Sequence, residues 1–163
     1  ITMKKILIVA LATLSVNITH ADDYAVVDLQ KVVQSSTYLK QQNVTLQNTI
    51  KPQTMQIEQL QKDLNVIQQK GQAAKTAVER EKLAKDFDAK AEQLATLQQQ
   101  VQNTVQSSMQ NVNKTFDARL KATAEQLRLE NKLDLVLNKN AVLAYEVKAD
   151  LTDKMIQKVN AIK

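Results

Sequence analysis

The chain has 163 residues and a formal net charge of +5, with one Gly, one Pro and 3% aromatics. That leaves little turn chemistry and little bulky core material, which excludes most multidomain enzymes and argues against an ordinary sheet-rich globule. With no Cys and a single His, disulfides, thiol nucleophiles and thiolate metal sites are excluded, and His-based catalysis and zinc binding lack their residues.

Residues 1–21 have the three parts of a cleaved signal peptide: a basic start at Met3, Lys4 and Lys5, an apolar run from Ile6 to Val16, and small flanking residues at Thr19-His20-Ala21. The run is too short to span a bilayer, which takes about 20 residues. Secretion of a Cys-free chain is compatible with a bacterial periplasm, and cleavage is predicted after Ala21. It would remove Lys4, Lys5 and the only His, leaving a modest basic field that mildly favours anionic partners and falls short of a nucleic-acid stripe.

Tyr24 to Asp28 is short and β-branched, a strand signal, and Leu29 to Gln34 fits a short helix. Ser35-Ser36-Thr37 supplies hydroxyls to cap a long helix. From there Leu39, Leu46, Ile50, Ile57, Leu60, Leu64 and Ile67 form a heptad seam, read through gaps at Asn43 and Gln53. Gly71 stands where the seam fades, and the chain is expected to reverse there, with a tip near 69–77. A second seam returns through Val78, Leu83, Phe87, Ala91, Leu94, Leu97, Val101, Val105, Met109, Val112, Phe116 and Leu120 to Leu127. The arms would be roughly 50 and 75 Å long. Pro52 is expected to kink or break the first arm near Lys51.

Two short apolar runs, Asp134 to Leu137 and Ala141 to Tyr145, flank Asn138-Lys139-Asn140 with the spacing of a β-hairpin. Asp150 and Asp153 resemble a capping box ahead of a closing helix striped by Leu151, Met155, Ile156 and Val159. The expected division is a body built from 22–36 and 132–163, with a helical hairpin over 37–131. A two-helix arm cannot surround a core, and so small a base is marginal alone, so the base is expected to be shared between copies.

Ala25-Val26-Val27-Asp28-Leu29-Gln30-Lys31-Val32, then Leu133 to Leu137 with Asn140-Ala141-Val142, then Asp150 to Ile156, flank this long helical middle. In that order the chain resembles the Skp/OmpH family of periplasmic chaperones. The resemblance implies a mainly α fold with a small β part: a homotrimer whose strands build a common β-barrel body, from which three coiled-coil tentacles enclose a cavity. It implies a holdase for unfolded outer-membrane proteins that uses no ATP and no cofactor. By position, Val26, Val27, Leu135, Val136, Val142 and Leu143 would fall in the strands of the trimerisation body. Family members also tend to be basic along the tentacles, and some touch lipopolysaccharide there, but Ala91 to Asn113 holds no Lys or Arg, which argues against that contact on this stretch.

The candidate client-binding residues rest on the seam reading. Val44, Met55 and Val66 lie off the first seam, and Val101, Val105 and Met109 are candidates on the second arm. A structural or adaptor coiled coil of the envelope shares the heptads and is the alternative, although it needs no strands at its ends. Few aromatics and modest charge exclude nucleic acid as a partner. No arrangement of Ser and carboxylates suggests an enzyme.

Overall fold

The structure, a computed structural model, describes residues 23–162; the expected signal peptide lies outside them. Strand β1 (Tyr24–Val27) leads into helix α1 (Leu29–Ser35), which starts where Asp28 Oδ1 accepts the Lys31 backbone N–H at 3.0 Å. Ser36 then serves two helices. Its N–H donates to the Val33 carbonyl and closes α1, while its Oγ accepts from Leu39 N–H at 3.2 Å and opens α2 (Thr37–Ala73). Helix α3 (Ala77–Glu130) returns beside α2, followed by strand β2 (Leu135–Asn138), two 3-10 turns (Lys139–Ala141 and Val147–Ala149) and helix α4 (Thr152–Ala161).

β1 and β2 pair in parallel, Tyr24 against Leu135 through Val27 against Asn138. Parallel neighbours need a crossover connection, and here the crossover is the whole α2/α3 hairpin. The core sits at the base, where Val27, Val32, Phe116, Leu127, Met155 and Val159 are buried together. Beyond it the arm has only its seam. Leu60 and Ile67 are buried, and Leu39, Leu46, Ile50, Ile57 and Leu64 are half-buried.

The chain reverses within the expected tip at 69–77, although not at Gly71, and three other expectations are corrected. α2 runs on through Gly71, and the chain reverses at 74–76, where Thr76 Oγ1 accepts the Glu79 N–H at 3.2 Å and starts α3. α2 does not break at Pro52: Pro52 and Asn48 both face solvent, so water can take the carbonyl that the missing N–H leaves free. The 134–145 hairpin does not form. A three-residue hairpin loop needs a left-handed residue, and Lys132 (φ 54°) is the only non-Gly residue with positive φ among those described; Asn138 instead accepts from Asn140 N–H and turns the chain into a 3-10 helix. Val142 and Leu143 therefore lie in no strand. Nor do Asp150 and Asp153 make a capping box: Asp150 Oδ1 accepts the Thr152 N–H at 2.9 Å, and Asp153 pairs with Lys31 at 2.9 Å.

Candidate functional site

Two direct contacts set how α3 lies on α2. Near the tip Lys90 Nζ meets Asp63 Oδ2 at 3.2 Å, and at the base Tyr38 and Phe116 stack with ring centroids 6.5 Å apart. The intervals between these contacts match on the two helices to within one residue, so the arm runs without a slip and the middle of α2 faces the middle of α3. Asp63 is held ionised below the usual aspartate range, first by the Gln59 amide and then by Lys90. Gln53 Oε1 is buried in the seam without a partner, and Gln42, rather than Asn43, takes the other polar seam position. Between the helices a groove of about 290 Å³ is lined by Leu39, Leu46, Val112 and Met109 with Thr45, Thr49 and Ser108 among its polar residues.

At the base, hydrogen bonds tie the two ends of the chain into one unit. Asn160 Oδ1 accepts from the Thr37 N–H at 2.9 Å and its Nδ2 donates to the Ser35 carbonyl at 3.1 Å, so α4 clasps the α1/α2 junction. Arg119 lies 4.1 Å from the Tyr38 ring centroid and donates to the Ile162 carbonyl at 2.9 Å. One edge of β1 is taken by β2 and the other by residues 150–151, through the Val26 to Asp150 bridge and the Leu151 N–H to Val26 carbonyl bond of 2.9 Å. The outer edge of β2 pairs with no described strand. After β2 in sequence, Val142 and Glu146 have extended backbone, Leu143 sits at a bend and Val147 opens the second 3-10 turn, and Leu143 and Val147 project into solvent, 108% and 88% exposed.

A family model described as outer membrane protein (OmpH-like) matches residues 23–159. The chain belongs to this OmpH-like family. A solved structure from Caulobacter crescentus CB15, named there as a proposed outer membrane chaperone (OmpH-like), aligns with a TM-score of 0.66 at 19% identity. The alignment covers 85% of this chain and 84% of that one, so the two share a fold. A search of curated proteins finds no match.

In this OmpH-like chain, Val44, Met55, Val66 and Met109 are exposed on the arm. The first three recur every eleventh residue, a spacing that keeps them on one side of a helix, and Met109 borders the groove on α3. Val101 and Val105 are half-buried along the seam instead. At the base, Val26 and Val27 are buried in β1, Val136 is half-buried and Leu135 is 40% exposed in β2. Val142 is half-buried and Leu143 exposed, both outside the strands. Sequence reasoning missed Val147, whose neighbours are polar, and Asn160 and Thr152, whose partners are more than 120 residues away. Among the described residues no helix is long and apolar enough to cross a membrane, and no acidic or His cluster could hold a metal.

Proposed function

We infer that this chain is an ATP-independent periplasmic chaperone that holds unfolded outer-membrane proteins in a cavity between helical arms, several copies being joined through their bases as a trimer. The observation that carries this reading is the contrast between the two ends of the molecule. A paired arm with one seam depends on a small base, and that base has a β2 edge unpaired among the described residues, followed in sequence by an irregular segment that leaves Leu143 and Val147 in water. Such an edge and apolar pair are costly in a solitary protein and favour association with further copies. Membership of the OmpH-like family and the likeness to a proposed outer membrane chaperone support the same reading.

Arms standing on a common base enclose a space in which each weak contact raises the effective concentration for the next. A client is then held without a deep pocket and leaves without fuel when its folding removes the state that binds. With one Gly in the chain, there is no glycine-rich phosphate loop to run an ATP cycle.

Light scattering during dilution of a urea-unfolded β-barrel membrane protein tests the function. Suppression of aggregation at about one trimer per client is the expected result. An unchanged aggregation curve from an intact assembly would favour the adaptor coiled coil.

A further inference from the structure

Charge is distributed unevenly along the arm. From Gln93 to Asn113, α3 carries no Asp, Glu, Lys or Arg, which at 1.5 Å per residue is about 30 Å of uncharged helix. The Asp63/Lys90 and Tyr38/Phe116 contacts place residues 41–61 of α2 beside it, and there only Lys51 and Glu58, of opposite sign, are charged. Beyond both limits charge returns at once, with Lys62, Asp63 and Glu92 toward the tip and Lys114 and Asp117 toward the base. The exposed positions of this band are mainly Gln, Asn, Ser and Thr, and among them Val44, Met55 and Met109 are more than half exposed.

We propose that this neutral, amide-rich band is the docking surface for uncharged amphipathic stretches of an unfolded polypeptide, held without an ionic component. The proposal rests on the holding function inferred above and names the chemistry of its contacts. An extended client segment offers backbone N–H and C=O groups along its length and apolar side chains on alternate residues. Gln and Asn carry both a donor and an acceptor, so they can meet peptide groups in either chain direction. Met55 and Met109 adapt to apolar side chains of different shape. At physiological salt the screening length is about 8 Å, so charges at the ends of a band about 30 Å long are largely screened at its centre, and within it Lys51 is offset by Glu58 two turns further along α2, leaving no net charge. The band therefore neither selects a client by net charge nor attracts a polyanion such as a lipid phosphate.

The test measures the affinity of the purified assembly for a fluorescent, urea-unfolded β-barrel membrane protein at about 50 and about 500 mM NaCl. The affinity is expected to change by less than about threefold between these conditions. A double variant with charge inside the band, Gln102→Lys with Gln106→Lys, should acquire a steeper salt dependence. The same charge near the tip, Gln68→Lys with Gln72→Lys, should leave the parent's response in place. All four positions are exposed, and sedimentation with circular dichroism checks assembly and helix content. A larger loss of affinity with salt in the parent overturns the neutral band while leaving holding intact, as does a band variant that responds like the tip variant. No complex at either salt overturns the holding function and the band with it.

Discussion

At the first turn of α4 the Thr152 hydroxyl stands between two partners, accepting the Asp28 N–H at 2.9 Å and donating to Asp150 Oδ1. The Thr152 hydrogen bonds hold the Asp150 carboxyl below the ordinary aspartate value of 3.8, against the smaller opposing effect of burial. A lowered folded pKa means that the ionised form favours the fold: its contribution is complete at neutral pH and is lost as pH falls through the depressed value. Asp150→Asn should therefore cost about 0.5–1 kcal/mol at pH 7, and the difference from the parent should close in urea melts as the pH is lowered below the ordinary aspartate value of 3.8. Lys132 makes a different kind of contribution. It adopts φ 54° where α3 ends, with Leu133 N–H donating to the Arg128 carbonyl at 2.8 Å and Lys132 N–H to the Leu129 carbonyl at 3.2 Å. This is a Schellman motif in a position where Gly is the usual residue. Lys132→Gly should raise stability by about 1 kcal/mol, read as a higher urea midpoint with unchanged slope.

For the helices of the arm, heptad spacing is a local property and was legible: every apolar residue named on the first seam is buried or half-buried. The reversal at 74–76 lies inside the expected tip at 69–77, and Thr76 with Glu79, whose Thr-x-x-Glu spacing is itself a helix-start signal, fixes its place within that stretch. A Cβ at Gly71 would meet nothing within 4 Å, and the residue lies inside α2. Gly71→Ala should thus stabilise the arm by up to about 1 kcal/mol without moving the turn. Pro52→Ala returns an N–H to the Asn48 carbonyl and should add up to about 3 kcal/mol, reduced by the hydration that carbonyl already enjoys. Hydrogen exchange along residues 46–56 would register the change, and unaltered exchange there would show that α2 does not feel the proline.

Across the whole molecule, residues far apart in sequence form one base while the arm between them extends away from it. Among the elements, α2 and α3 pack mainly on each other, whereas β1, β2, α1 and α4 gather around the end of α3. Changes at Leu143 and Val147 should consequently act on association and spare the arm. Leu143→Asp with Val147→Asp is expected to shift the protein to monomer in sedimentation at micromolar dilution while far-UV circular dichroism keeps the α2/α3 signal. A variant that assembles like the parent would place the contact between copies elsewhere. Under the proposed function, aggregation suppression should fall together with assembly, because the space that joined arms would enclose disappears with it.

The long paired helices, the capped start at Ser36 and the strand at Tyr24 were determined by the sequence itself, since each depends on neighbours within a few turns. So was the absence of charge from Gln93 to Asn113. Tertiary structure decided that β2 lies parallel to β1 and that the run after it forms two 3-10 turns instead of a second hairpin strand. It also decided that Asp150 binds Thr152 and that Asn160 joins α4 to the start of α2. A strand acquires its identity from the chain beside it, and a polar side chain from the partner brought to it. Here those partners lie across a hairpin of nearly a hundred residues, a distance at which local spacing carries no information about contact.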